Sequence, residues 1–122
     1  MAKKDDRRSF PRIKDEGLAL KLNTGEFDII THTLNISASG IYCKTDRELP
    51  IMSRVKLILM LPESSKDEKA TKGIEVTGVV VREHPVIIEG RIKHYDVAIF
   101  FENLSARHRK IISDYISRKN KE

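Results

Sequence analysis

Two short stretches of this chain carry residue types and spacings that could do chemistry. The first is RRSFPR at residues 7–12, which places Arg7, Arg8 and Arg12 on a polar segment stiffened by Pro11. In extended backbone, at ~3.3 Å per residue, Arg8 and Arg12 can stand up to roughly 13 Å apart and so grip two sides of one ligand. A guanidinium is a planar fork that pairs bidentately with phosphate oxygens or with the O6 and N7 edge of guanine, and it also stacks on a base face. The second stretch is NISASG at residues 35–40. Asn35 and Ser37 have short side chains that accept from backbone or ligand N–H groups, and Gly40 allows either a positive φ or the close approach of another group. Each stretch alone also has a plainer reading, the first as a solvated basic arm and the second as ordinary turn chemistry.

The elements that must hold these residues follow from periodicity. Residues 1–16 are polar, charged and without a hydrophobic period, and Pro11 pushes Phe10 out of helical space, so an extended arm is expected, mobile without ligand. Strands are expected over 17–23 and 27–35, joined as a hairpin by TGE, then over 40–45 and 53–61. In the fourth of these, Val55, Leu57, Leu59 and Leu61 share one face while Lys56 and Met60 take the other. Residues 62–73 form a charge-dense loop, followed by strands over 74–87 and 94–104 with the glycine-containing IEGRIK as the turn between them. Ser105 is a candidate N-cap for a helix whose Ile111, Ile112, Tyr115 and Ile116 recur on one side. The expected fold is all-β with one C-terminal helix, a six-stranded antiparallel β-barrel. One domain is expected: an arginine-bearing arm at 1–16, the barrel at 17–104, and helix and tail at 105–122.

Composition narrows the partners. The chain has 122 residues, enough to bury a core unaided, with 39% hydrophobic residues, no tryptophan and a net charge of +5. A positive balance favours anionic partners without choosing among them. The single cysteine, Cys43, cannot form an internal bridge, and the charged N-terminal segment lacks the apolar stretch of a secretory signal. The longest apolar run, VKLILMLP, is too short to span a bilayer. A cytoplasmic protein with no membrane insertion is the expectation.

An arginine pair spaced R-x-x-x-R, a strand hairpin, and then N-x-S-x-x-G, on a chain of six expected strands and one helix, together resemble the PilZ domain family. The segments TDRELPIMSRVKLILMLP, TGVVVREHP and DVAIFFENLSARHRKIISDYI look like that family's later elements in order, so the resemblance spans nearly the whole chain. It implies a barrel that binds cyclic di-GMP, with Arg8 and Arg12 on guanine and phosphate and with Asn35, Ser37 and Gly40 on the other side. The doubled arginine adds Arg7 as a candidate contact. At VAIFF the chain departs from the family pattern, carrying Ala98 where many members have glycine, which would narrow the space beside the ligand.

Other chemistries find little support. His32, His84, His94 and His108 are scattered, without metal-ligand spacing or a cysteine pair, so no metal is expected. No nucleophile-base arrangement and no phosphate-cradling glycine loop is readable, so no enzyme is expected. The implied role is a receptor whose arm closes over cyclic di-GMP and signals to an unidentified protein target. The alternatives are a basic barrel for single-stranded nucleic acid, disfavoured by only 6% aromatic residues, and a ligand-independent interaction module.

Overall fold

The computed structural model describes residues 13–14, 18–62 and 71–120. Its strands are β1 (Ile13–Lys14), β2 (Ala19–Asn23), β3 (Asp28–Ile36), β4 (Gly40–Thr45), β5 (Arg54–Pro62), β6 (Thr71–Ile88) and β7 (Arg91–Glu102), followed by helix α1 (Ala106–Asn120). The sheet order is β1-β3-β2-β5-β6-β7-β4, and a further β3–β4 pairing closes it. Six antiparallel strands therefore make a closed barrel with one C-terminal helix, as the sequence predicts, and β1 is a short addition outside the ring.

Alternation explains the core. Val55, Leu57, Leu59 and Leu61 of β5 are all buried, while Arg54, Lys56, Ile58 and Met60 lie outward. Leu20 and Leu22 of β2 and Ile74 and Val76 of β6 meet them from either side inside the barrel. Each such side chain contributes about 1.5–3 kcal/mol on burial, which is how a chain without tryptophan holds a barrel together. The helix covers one end: Ile112, Tyr115 and Ile116 are buried against that core. Ser105 caps it, accepting the His108 N–H on its Oγ at 3.1 Å. Near its C-terminus, Arg118 donates to the Pro62 carbonyl at 3.1 Å, tying α1 to the end of β5.

Two boundaries differ from the sequence reading. The expected loop at 62–73 gives way to strand by Thr71, where β6 pairs with Pro62. The IEGRIK turn shrinks to two residues, Glu89 (φ 54°) and Gly90 (φ 78°), because Ile88 still pairs with Arg91. A two-residue loop with positive φ at both positions matches the right-handed twist of the flanking strands. The resulting ribbon projects past the ends of β4 and β5, with Ile87, Ile88 and Ile92 exposed. Pro85 sits in this stretch of β6, where no strand lies on the side away from β7, so its missing N–H costs no ladder bond.

Candidate functional site

The NISASG stretch is the turn from β3 into β4, and the structure shows what each of its residues does locally. The Ser37 N–H donates to the Gly40 carbonyl at 2.9 Å, closing the turn. The Ser37 Oγ accepts from the Ser39 N–H at 3.2 Å and lies 3.1 Å from the Ser39 Oγ, so this hydroxyl, only 1% exposed, braces the turn from inside. The Phe101 N–H donates to the Ser39 carbonyl at 2.8 Å, which staples the turn to β7. Gly40 answers the question its sequence position left open. Its φ is not positive; instead, a Cβ there would fall 2.3 Å from the Ile99 carbonyl oxygen. Glycine is required because two backbones pass too close for any side chain.

Beside this turn the arm enters the sheet. Ile13 pairs with Ile36 and Lys14 with Asn35, so β1 runs antiparallel to the end of β3. Helix α1 packs against β1 as well as β5. Arg7, Arg8 and Arg12 lie outside the described residues; Arg12 is joined by one peptide bond to Ile13, whose position is fixed opposite Ile36. Asn35 is half-buried between β1 and β4, next to the turn that Ser37 and Gly40 complete. The three described candidates are thus brought together, with the arm's attachment point beside them.

A groove of about 440 Å³ opens from this turn across the outside of the barrel. Ser39, Gly40 and Tyr42 form one bank, Ala98 and Phe100 of β7 the floor, and Val81 and Arg82 of β6 the far bank. The far bank exists because of a bulge. Between Val80 and Arg82 the register of β6 against β7 slips, leaving Val81 as an extra residue that is 48% exposed. A bulge of this kind bends the strand and re-aims its side chains. Arg82, opposite Ala98, has no hydrogen-bond or ion-pair partner for its guanidinium among the described residues. The sequence reading did not single out Arg82. The only signal for it was the run of three valines before it, which breaks the strict alternation of a simple strand.

A second groove, also about 440 Å³, lies at the other end of β4, lined by Asp28, Ile30, Lys44, Asp46, Arg47 and His94 among others. Its charges are partly satisfied. Asp28 pairs with Lys21 at 3.5 Å, the Arg47 guanidinium stacks 4.3 Å from the Phe27 ring centroid, and His94 Nε2 stands 3.2 Å from Asp96. Between the two grooves, Cys43 points into the core. Burial, with the Asp96 carboxylate adding to it, pushes its thiol from 9.0 up to about 12. No cluster of side chains able to hold a metal occurs among the described residues, and none of their helices is long and apolar enough to cross a membrane.

Residues 6–118 match the PilZ domain, and the chain belongs to that family. Among solved structures it is similar to the inhibitor of motility (MotI/DgrA) of Bacillus subtilis, at 23% identity and a TM-score of 0.76, covering 97% of this chain and 53% of that one. YcgR of Escherichia coli in complex with c-di-GMP aligns at 13% identity and a TM-score of 0.71, over 94% of this chain and 46% of that one. The PilZ domain of YcgR with c-di-GMP aligns at 12% identity and a TM-score of 0.64, over 95% of this chain and 94% of that one. The chain thus spans about half the length of the first two. No curated protein matches it significantly by sequence.

Proposed function

We propose that this protein is a receptor for cyclic di-GMP. The ligand would bind on the outer face of the barrel, between the arm and the β3–β4 turn. The observation that carries this reading is the β1–β3 pairing, which anchors the end of the arm at Asn35 and Ile36 and so puts the residue after Arg12 beside the N-x-S-x-x-G turn. Family membership and the c-di-GMP complexes of similar structures support it. In this assignment Arg8 and Arg12, with Arg7 beside them, supply guanidinium forks to guanine and phosphate. Asn35 faces the ligand from the end of β3, and Ser37 and Gly40 act chiefly by holding the turn in shape.

The protein acts as a switch rather than a catalyst, and it needs no metal to do so. Ligand binding orders the arm, and because β1 lies against both β3 and α1, that ordering reaches the helix. The changed surface is read by a protein target in the cytoplasm. Two phosphates and two guanine edges offset an ordering cost on the order of 2–5 kcal/mol, and Pro11 lowers that cost by fixing one φ beforehand.

Calorimetry with cyclic di-GMP, GTP and a short oligonucleotide tests the assignment. Cyclic di-GMP should bind with a shallow salt dependence, since it carries two phosphates and no condensed counterion atmosphere. Arg8→Ala and Arg12→Ala should each weaken it by roughly 1–3 kcal/mol, the scale of a bidentate contact. Equal affinity of the wild type and the double variant would remove the arm from the site. Tighter binding of the oligonucleotide with a steep salt slope would favour the nucleic-acid alternative.

A further inference from the structure

We infer that the β6–β7 wall of the groove is a guanine-selecting subsite in which Phe100 stacks on a base and Arg82 reads its O6 and N7 edge. This rests on the cyclic di-GMP reading above and assigns the selectivity to residues outside both sequence motifs. Arg82 and Ala98 are register partners across β6 and β7, and Phe100 lies two residues along β7 from Ala98, so all three side chains share the outer face. Arg82 and Phe100 are therefore diagonal neighbours, separated at their backbones by roughly 7–8 Å, with the Ala98 methyl between them on β7 and the exposed Val81 beside Arg82 on β6. That leaves a shallow depression with a cation on one side and an aromatic face on the other.

Both flanking residues are unusual for a barrel surface. Phe100 is 52% exposed although it sits in the middle of a fully paired strand, and it lines the groove rather than a crevice between elements. An exposed aromatic face costs hydration free energy that base stacking recovers, at about 1–3 kcal/mol per base. Arg82 is presented by the Val81 bulge and left without a partner among the described residues. Its fork matches the two acceptors on the guanine edge, whereas adenine offers a donor at one of those positions. Gly40 pairs with Phe100 on the opposite side of β7, so this wall is continuous with the N-x-S-x-x-G turn.

The test is calorimetry with cyclic di-GMP and cyclic di-AMP on wild type, Arg82→Ala, Arg82→Lys and Phe100→Ala, with thermal melts to verify folding. Wild type should prefer the guanine ligand. Arg82→Ala should lose about tenfold or more in cyclic di-GMP affinity, tenfold corresponding to 1.4 kcal/mol, with cyclic di-AMP nearly unchanged. Arg82→Lys keeps the charge without the fork and should lose most of the selectivity too. Phe100→Ala should weaken both ligands about equally, as stacking is indifferent to the base. An Arg82→Ala effect that is absent, or equal for the two ligands, would overturn the guanine assignment while leaving the receptor reading in place. Failure of the wild type to bind either dinucleotide would overturn both.

Discussion

Among the described residues, two grooves of equal volume, about 440 Å³ each, lie at opposite ends of β4, and they differ in chemistry. The first, at the β3–β4 turn, has a backbone-tight bank at Gly40, an exposed aromatic, and an arginine, Arg82, without a partner among the described residues. The second is crowded with charges of both signs, among them Asp28 with its lysine partner and Arg47 lying on an aromatic ring. Size does not distinguish them. A dianionic, aromatic ligand needs cations not already committed to neighbours and a flat apolar face, and only the first groove offers both.

The largest effect concerns β4 itself, which forms a bank of both grooves with Cys43 turned inward between them. Its thiol is raised from 9.0 to about 12, so the folded state favours the neutral form. The stability this contributes is fully present below pH 9 and is lost as pH climbs through the window up to about 12. At the top of that window the loss approaches about 4 kcal/mol, at ~1.4 kcal/mol per unit. Urea unfolding of wild type and Cys43→Ala at stepped pH should show the gap between them closing as pH rises. A constant gap would mean that β4 is loosely seated and that neither groove has a fixed bank.

Gly40→Ala comes next. The added Cβ meets the Ile99 carbonyl oxygen, and backbone cannot move aside as a side chain can, so a loss of roughly 1–3 kcal/mol is expected in thermal or urea melts. Gly73→Ala is the control: its Cβ would meet the Met60 Sδ at 3.2 Å, the flexible end of an exposed side chain, and little should change. If the two variants were equally stable, the tight Gly40 bank of the first groove would lose its basis.

These two glycines also show how much of the molecule was legible beforehand. The alternation in β5, the N-cap at Ser105 and the inward side of α1 could be read because each depends on residues near in sequence. The closeness of Gly40 to Ile99 could not, since it arises only when β4 and β7 pair across the closed barrel. The same holds for β1, two residues with no period of their own that become a strand because β3 offers them an edge. Arg82 escaped notice for a related reason: a bulge is a mismatch between two strands, and a single strand's sequence records only half of it. Asn35 and Ser37 were identified by type, but only the turn's hydrogen bonds separate the residue within β3 from the one bracing the turn.

The charge contrast between the grooves can be broken directly. Lys44→Ala and Arg47→Ala remove cations from the second groove, and cyclic di-GMP affinity should stay within about a factor of two, the residual change coming from net charge screened over roughly a Debye length. A tenfold loss from either would place the ligand in the wrong groove and would require Asp28 and Asp46 to be tolerated beside its phosphates. Calorimetry at two salt concentrations separates a direct contact, which persists, from the general field, which fades.

The smallest expected effect is at Ala98, the floor between Arg82 and Phe100. Removing its methyl group in Ala98→Gly deepens the depression by one carbon, and burying a base closer to the strand by that amount is worth at most about 0.8 kcal/mol. Against this, glycine within a strand costs about 0.5–1 kcal/mol of stability, a term that appears in the melt but cancels from binding if the strand stays formed. The variant should therefore melt slightly earlier yet bind cyclic di-GMP as tightly as wild type or up to about fourfold tighter. Ala98→Leu supplies the opposite sign, since its isobutyl group would fill the space between the guanidinium and the ring, and binding should fall well below that of either. Should Ala98→Leu bind normally while folding normally, the base would have to lie elsewhere on the groove.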